Sequence, residues 1–353
     1  MIRVIAGAAL LACTLVALLA APAAAEAPAG PRLTFMRGSG STYALVSSDP
    51  TGHDQRVLAK GSRNSPPIPN LFSPPTWSGN GSQVAFSALS SWSKGHLDIY
   101  QAAADGNGLR KLPHTRDAFK PVLSPDGRTL AFGLLRQRRA RRAHGREAIV
   151  FDGASTWLLN VKGGRARRLT PWRNGLYEYP SSFSPDGKTL ALSLTRRVSE
   201  RRSIRSALAL RLDGSGSRVL AEDAGSPVYS PDGSRIALLL MDKPRIFKTR
   251  RGLTTITPTD LAVAAADGSG LTRLTHTSAL ELLPSWDPSG QRLAYTQQRA
   301  SGRDADIIGL GDSIMEINAD GSCRTRVLSY PRAILYGPTW QAGAGREAGP
   351  IAC

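Results

Sequence analysis

The stretch SPDG at residues 124–127, followed by the apolar run TLAF at 129–132, decides the fold because it recurs along the chain. The same turn stands at 184–187 before an apolar run at 189–192, and at 230–233 before a run at 235–238. Degenerate copies occupy 75–81 and 284–290. Glycine reaches positive φ without steric cost and aspartate hydrogen-bonds the nearby backbone. Each copy therefore predicts a tight turn between two strands.

A second series of glycine-containing turns marks a later hairpin in each unit. It occurs six times, at 48–52, 104–108, 162–164, 212–216, 266–270 and 319–322. Each turn is followed by a short run that ends in leucine, namely Leu58, Leu112, Leu169, Leu220, Leu274 and Leu328. The repeating unit is thus four short strands, A to D, with the first turn between A and B and the second between C and D.

Four antiparallel strands repeated six times predict an all-β fold, a six-bladed β-propeller. The segment 32–37 is a B strand without its A strand, and 337–340 is an A strand with nothing to follow. We expect this C-terminal A strand to join the N-terminal blade and close the ring, which removes an exposed sheet edge. The predicted blades, within a propeller domain at 26–353, are 32–59 plus 337–341, 75–112, 121–169, 180–220, 227–274 and 284–328.

The repeats resemble the WD40-like (PD40) repeats of the TolB-like propeller family, on the pattern of a proline, an aromatic residue, SPDG and an apolar strand. The resemblance covers nearly all of the chain after residue 26. It implies a six-bladed propeller and, by analogy, an exported protein that acts through binding. Because the repeats begin directly after residue 25, we expect a propeller without the separate N-terminal domain of TolB.

The N-terminal 25 residues predict a secretory signal peptide. Arg3 supplies a positive start, an uncharged apolar run follows to Ala21, and Ala23-Ala24-Ala25 fits a cleavage site. We expect a secreted or cell-envelope protein, periplasmic where that compartment exists, cleaved after about Ala25; an uncleaved membrane anchor is the alternative. The full sequence of 353 residues is 41% hydrophobic and 20% charged, a composition that favours a globular core over disorder.

Two cysteines remain after the signal, Cys323 and Cys353. Cys323 falls in the last C-to-D turn and Cys353 trails from the closing A strand, which leaves on the same side of the ring. In an oxidising compartment we predict a disulfide between them, with free thiols as the alternative.

The charge of the chain, +18 from 45 basic and 27 acidic residues, is concentrated in three segments between strands B and C. The segments 136–146, 196–205 and 242–251 hold sixteen basic residues against two acidic ones, and we expect them to be long loops on one face. Clustered arginines attract carboxylates and phosphates. The predicted binding residues are Arg136, Arg138, Arg139, Arg141, Arg142, Arg196, Arg197, Arg201, Arg202, Arg205, Arg245, Lys248, Arg250 and Arg251. The alternative is that the loops are merely solvated.

Aromatic residues precede the A strands on that same predicted face, and Trp172, Tyr177 and Tyr179 are candidate ligand contacts, with packing between blades as the alternative. His114 and His276 occupy equivalent repeat positions and are interpreted as surface residues rather than an acid–base or metal pair. Asp304, Asp306 and Asp312 lack the regular spacing of a calcium loop and are interpreted as a solvated turn. We therefore predict no metal, no cofactor and no catalytic residue.

The common hydrolase, metalloprotease and nucleotide-binding signatures do not occur in the sequence. The sequence favours an exported non-catalytic propeller, expected to be a monomer, that binds an acidic protein, an anionic glycan or cell-envelope polymer, or a phosphate-bearing surface. Nucleic acid suits an exported protein less well, and any membrane contact is expected to be peripheral or through an uncleaved anchor. The alternative is a propeller-type lyase or hydrolase that acts on an acidic polysaccharide.

Overall fold

The computed structural model describes residues 30–70, 73–91, 95–141, 147–199, 202–249, 252–298, 313–330, 333–341 and 350–353. For 137–141, 147–150, 247–249 and 252–255 it describes the backbone. The predicted signal peptide lies outside the described residues. Within the described part, no helix is long and apolar enough to cross a membrane.

Regular structure in the described ranges is all β. The strands, in chain order, are β1 (Arg32–Ser39), β2 (Thr42–Ser48), β3 (Arg56–Ser62), β4 (Ile68–Pro69), β5 (Thr76–Trp77), β6 (Gln83–Ser91), β7 (His96–Ala103), β8 (Arg110–Lys111), β9 (Ala118–Leu123), β10 (Thr129–Arg141), β11 (Glu147–Asn160), β12 (Arg167–Arg168), β13 (Leu176–Phe183), β14 (Thr189–Arg197), β15 (Ser203–Arg211), β16 (Ser217–Glu222), β17 (Ala224–Tyr229), β18 (Arg235–Met241), β19 (Arg245–Thr249), β20 (Gly252–Ile256), β21 (Thr259–Ala265), β22 (Thr272–Arg273), β23 (Leu280–Trp286), β24 (Arg292–Gln298), β25 (Ser313–Asn318), β26 (Thr325–Ser329) and β27 (Ile334–Gln341).

The antiparallel pairing groups these strands into successive sheets, numbered 1 to 6 here. Sheet 1 has the order β27-β1-β2-β3, and sheet 2 joins β4 and β5 to β6-β7-β8. Sheets 3 and 4 are β9-β10-β11-β12 and β13-β14-β15-β16. Sheet 5 is β17-β18-β21-β22, with β19 and β20 as a separate hairpin, and sheet 6 is β23-β24-β25-β26. The architecture is a β-propeller.

The last strand pairs with the first, with Trp340 opposite Leu33 and Thr339 opposite Thr34. Hydrophobic clusters fill the space between neighbouring sheets all along the series. A further cluster packs Leu33 and Phe35 of sheet 1 against Ala294 and Ile314 of sheet 6. Burial of apolar side chains between sheets is therefore the main stabilising contact, and it includes the contact between the two ends of the chain.

Neighbouring sheets are joined by two kinds of contact, hydrogen bonds between hydroxyl side chains and the backbone, and short parallel backbone pairings. At the junction of sheets 2 and 3, the hydroxyl of Thr76 accepts a hydrogen bond from the Leu123 backbone N–H at 3.1 Å, and the hydroxyl of Ser73 accepts one from the Lys120 N–H at 2.9 Å. Equivalent hydroxyl pairs serve the junctions of sheets 4 with 5 and 6 with 1. The junctions of sheets 3 with 4 and 5 with 6 carry a parallel backbone pairing, and in the second of them the Thr259 hydroxyl also accepts the Glu281 N–H at 2.9 Å. Hydroxyl side chains thus satisfy innermost N–H groups that have no strand partner.

The repeated SPDG segments form the predicted turns. In the first copy, the Ser124 hydroxyl donates to the Asp126 carboxylate at 2.5 Å, and that carboxylate accepts the Arg128 N–H at 3.0 Å. Gly127 has φ of 67°, a value that costs glycine little and other residues more. These contacts explain the recurrence of serine, aspartate and glycine by turn geometry.

The long basic loops predicted between strands B and C are corrected by the structure. Residues 136–141 continue β10, which pairs with β11 in an antiparallel ladder that runs to Arg141 opposite Glu147. In sheet 4 the ladder continues to Arg197 opposite Ser203, and in sheet 5 the chain forms the hairpin β19–β20. The reason is that a two-stranded ladder satisfies the backbone N–H and C=O groups that an open loop would leave to water. We call these three projections the basic hairpins: the paired projecting ends of β10 and β11 in sheet 3, those of β14 and β15 in sheet 4, and β19–β20 in sheet 5.

The C-terminal residues are attached to sheet 6. A disulfide joins Cys323 and Cys353, whose Cα atoms lie 5.0 Å apart. Next to it, the Ile351 N–H donates to the Asn318 side-chain oxygen at 2.8 Å, and the Asn318 amide donates to the Ile351 carbonyl at 3.0 Å. The covalent bond and the reciprocal amide pair hold the chain end on the side of the C-to-D turns.

Candidate binding face

The basic hairpins project from three consecutive sheets, at the ends of strands B and C. Arg136 stands at the base of the first, and Arg196 and Arg197 end β14 in the second. Arg202 is exposed in the turn that follows, and Arg245 is exposed at the start of β19. A row of cations thus follows from the continuation of the strand ladders, which carries the side chains away from the ring.

Tyr177 connects the first two hairpins. Its phenolic hydroxyl donates a hydrogen bond to the Phe151 carbonyl at 2.8 Å, and it accepts one from the Arg197 guanidinium at 3.1 Å. The guanidinium carbon of Arg197 lies 5.7 Å from the centre of the Tyr177 ring, within the range of a cation–π contact. The aromatic residue therefore orients one of the predicted arginines.

The backbone reinforces the same connection. The Gly175 N–H donates to the Asp152 carbonyl at 2.7 Å, and the Gly175 carbonyl accepts the Arg197 N–H at 2.7 Å. Gly175 has φ of 71°, so the bend at this residue favours glycine. Arg136 approaches Asn174 at 3.4 Å and Asp152 at 3.7 Å. The first two hairpins are thus linked by side-chain and main-chain bonds.

Tyr179 lies closer to the ring axis. The Lys120 ammonium stands 4.1 Å from the centre of its ring, and the Phe119 ring packs on it with centroids 5.7 Å apart. Lys120 has φ of 49° and also lines the central cavity. Trp172, the third predicted aromatic contact, is half-buried in the segment before β13. Arg197 and Lys120 therefore each contact the ring of one of the predicted aromatic residues.

The remaining predicted binding residues fall into two groups. For Arg138, Arg139, Arg141 and Lys248 the structure places the backbone in β10 or β19, and Arg205 is half-buried in β15. The others, Arg142, Arg201, Arg250 and Arg251, lie outside the described residues, as do Asp304, Asp306 and Asp312.

Acids offset part of the positive charge in the described part of this face. Asp152 lies 3.7 Å from Arg136 and Asp242 lies 3.9 Å from Arg245, and Glu222 and Asp223 are exposed at the junction of sheets 4 and 5. Glu178 points into the protein between Tyr177 and Tyr179, and burial raises the pKa of its carboxyl group.

A central cavity of about 460 Å³ opens between the innermost strands, and residues from all six sheets line it. Its wall is built from prolines, hydroxyl side chains and aromatic edges, for example Pro121, Ser182 and Trp286. Lys120 is the charged residue in that wall. The cavity therefore has a weakly polar wall that includes one cation.

Other groups singled out in the sequence lie in turns or at the surface where the structure describes them. Asp126, Asp186 and Asp232 each bind a serine hydroxyl within their own turn, and these hydrogen bonds lower the pKa of each carboxyl group, to about 2 for Asp232. In the ranges that the structure covers, no group of three histidine, cysteine, aspartate or glutamate residues could hold a metal ion. His114 and His276 are both exposed.

Several residues of this face were not identified from the sequence. Lys120 and Asn174 come next to the A strands, but their roles depend on contacts with neighbouring sheets. Phe151, Val198 and Ile246 are large apolar side chains exposed by 43%, 52% and 70%, one on each basic hairpin. Val198 and Ile246 lie inside arginine-rich segments, a signal that could have indicated them, whereas Phe151 comes after the first of these segments.

Comparison with known proteins places the fold among TolB-like propellers. The chain is 32% identical over 205 residues to the Tol-Pal system protein TolB of Anaeromyxobacter dehalogenans strain 2CP-C, a match covering 55% of this chain and 41% of that protein. Our chain thus matches less than half the length of this curated relative. No protein-family model matches the sequence.

Solved structures support the same fold. TolB from Acinetobacter baumannii superposes with a TM-score of 0.63 at 18% identity, over 88% of this chain and 66% of that one. A putative TolB from Agrobacterium tumefaciens gives 0.55 at 18% identity, over 89% of this chain and 99% of that one. At this identity the structures show the shared propeller architecture, and the TolB-like fold predicted from the repeats is confirmed.

Proposed function

We propose that this chain is an exported, non-catalytic propeller that binds an acidic partner through its three basic hairpins. The observation that carries the proposal is the link between the first two hairpins, in which Tyr177 and Gly175 hold Arg197 beside Phe151 and Asp152. Arginines on a fixed scaffold lose less freedom on binding than arginines on open loops, so more of their attraction to an anion is retained.

Charge distribution is the second support. Arg136 on sheet 3, Arg196 and Arg202 on sheet 4, and Arg245 on sheet 5 are all exposed, so cations stand on three consecutive sheets. A field of one sign raises the local concentration of anions and accelerates their encounter with the surface. Carboxylates and phosphates suit the planar guanidinium group, so an acidic protein, an anionic glycan or a phosphate-bearing surface fits this face.

The comparisons support a role in binding and an envelope location. The curated relatives are named as TolB proteins of a Tol-Pal system, and the signal-like N-terminus of this chain fits export. Because the match covers 41% of the relative, the partners of that system are not carried over.

A charge-reversal experiment tests the proposal. The variant Arg196→Glu/Arg202→Glu/Arg245→Glu reverses three exposed cations: one on β14, one in the turn of the second basic hairpin and one on β19. The matched control, Arg128→Glu/Lys188→Glu/Arg211→Glu, makes the same change in net charge at the opposite ends of strands β10, β14 and β15. We expect the first variant to lose retention on immobilised heparin and polyglutamate while the control keeps it. Equal retention of both variants would contradict the proposal.

A further inference from the structure

Each basic hairpin carries one large apolar side chain in water. Seven such side chains are strongly exposed among the residues that the structure describes, and three of them are Phe151, Val198 and Ile246. Ile246 is exposed by 70%, the largest value of the seven. The other four stand on or beside the outermost strands of their sheets. The hairpins therefore combine cations with protruding apolar groups.

The positions of these side chains follow from the strand register. Phe151 is opposite Gln137 in the ladder that carries Arg136 and Arg138. Val198 comes directly after Arg197, and its N–H donates to the Arg202 carbonyl in the turn. Ile246 follows Arg245 and is opposite Thr255. Val198 and Ile246 each directly follow an arginine, and Phe151 is opposite the residue between Arg136 and Arg138. Phe151 and Ile246 lie toward the bases of their hairpins, and Val198 lies in the turn of the second.

Based on the proposed function, we infer that the acidic partner is an anionic lipid bilayer, which the basic hairpins bind by headgroup contacts and by shallow insertion of Phe151, Val198 and Ile246. A surface segment that mixes basic and apolar side chains is the arrangement that lies at a membrane interface, with cations at the headgroup phosphates and apolar groups at the acyl boundary.

The separation of the three apolar groups favours a bilayer over a folded protein. A protein interface needs a contiguous, well-packed apolar centre, whereas these side chains are exposed on three separate hairpins. Lipids move laterally and fill the space around each hairpin without a matching shape. The bonds from Gly175 to Asp152 and to Arg197 keep two of the hairpins side by side, so they reach a common surface together.

The test separates headgroup charge from insertion. The variant Phe151→Ser/Val198→Ser/Ile246→Ser keeps every charge, and the control Val57→Ser/Val219→Ser/Leu271→Ser removes three apolar groups of similar exposure from outermost-strand positions. Binding is measured by co-sedimentation with vesicles of phosphatidylglycerol and phosphatidylcholine, with pure phosphatidylcholine vesicles, and with soluble polyglutamate by calorimetry. Circular dichroism checks that both variants fold.

We expect the intact protein and the control to bind the anionic vesicles and not the neutral ones. We expect the hairpin variant to bind anionic vesicles about tenfold or more weakly than the intact protein, because it lacks the three apolar side chains that would be buried in the bilayer. We expect its affinity for polyglutamate to equal that of the intact protein. Equal vesicle binding by the hairpin variant and the control overturns the insertion. Binding to polyglutamate without binding to anionic vesicles overturns the inference and leaves the proposed function standing. If the intact protein binds neither anionic vesicles nor polyglutamate, the inference and the proposed function are both overturned.

Discussion

The Tyr177 hydroxyl donates a hydrogen bond to the Phe151 carbonyl, 26 residues earlier in the chain and in the neighbouring sheet, at 2.8 Å. The same oxygen accepts from the Arg197 guanidinium. One phenol thus ties a backbone group of the first basic hairpin to a side chain of the second. The two hairpins form one surface because of this contact and the backbone bonds of Gly175.

Removal of the Tyr177 hydroxyl is expected to weaken binding at the basic hairpins more than it destabilises the fold. In Tyr177→Phe we expect a loss of about 1 kcal/mol or less in the free energy of unfolding, because the bonds are exposed. We expect the affinity for heparin to fall about two- to fivefold, since Arg197 loses its orienting partner. Chemical denaturation and calorimetry measure the two effects.

A matched phenol serves as the control. Tyr330 accepts a hydrogen bond from the Gln55 side chain at 2.5 Å, away from the basic hairpins. Tyr330→Phe is expected to change stability by a similar amount and heparin affinity not at all. If both variants lose affinity equally, the orienting role assigned to Tyr177 is wrong.

The hydroxyl contacts between sheets make a separate prediction about stability. Thr76→Val keeps the shape of the side chain but leaves the Leu123 N–H without its acceptor, at a cost of about 1 to 3 kcal/mol in the free energy of unfolding. Thr339→Val removes a hydroxyl whose contact with the Thr34 carbonyl is long, 3.5 Å, and is expected to cost less than about 1 kcal/mol. Urea denaturation of the two variants gives the comparison, and a reversed order would contradict the role of the contact.

A feature of the fold or of the binding face can be predicted from the sequence when it depends on contacts between residues that are close together in the chain. The SPDG turns use contacts within five residues, such as Ser124 to Asp126, so their sequence is sufficient to predict them. The ladder that carries Arg141 opposite Glu147 depends on two segments that keep register through charged residues, and an excess of arginine indicates a loop equally well. Contacts such as Thr76 with Leu123 join neighbouring repeats, so nothing in either repeat alone indicates them.

The buried cluster of sheet 6 predicts a pH dependence. Burial raises the pKa of Glu316 from 4.5 to about 7, although the Arg292 guanidinium is 3.1 Å away. Because the folded protein binds this proton more tightly than the unfolded chain, the contribution to stability is complete below about pH 4.5 and is lost as the pH rises through about 7. Thermal unfolding of Glu316→Gln from acid to neutral pH is expected to lack this fall, about 1 to 3 kcal/mol in size. A variant with the same pH profile as the intact protein would refute this assignment.

The disulfide is expected to stabilise the protein without influencing the binding face. Cys323→Ser/Cys353→Ser opens a covalent loop with a sequence separation of 30. The chain-entropy relation gives a loss of about 3 to 4 kcal/mol in the free energy of unfolding. Heparin affinity is expected to stay unchanged, because the bond lies at the C-to-D turns and the basic hairpins extend from the other ends of the strands. A loss of affinity in a folded variant would show that the two sides are coupled.

The salt dependence of binding to an anionic polymer tests the central claim most directly, because it counts the cations that contact the polymer. Dissociation constants for heparin are measured between about 50 and about 200 mM salt for the intact protein, Arg196→Glu/Arg202→Glu/Arg245→Glu and Arg128→Glu/Lys188→Glu/Arg211→Glu. We expect a steep logarithmic slope for the intact protein, the same slope for the second variant, and a slope smaller by about 2 to 3 for the first. Equal slopes in all three proteins, or a smaller slope in the second variant alone, would contradict binding through the basic hairpins.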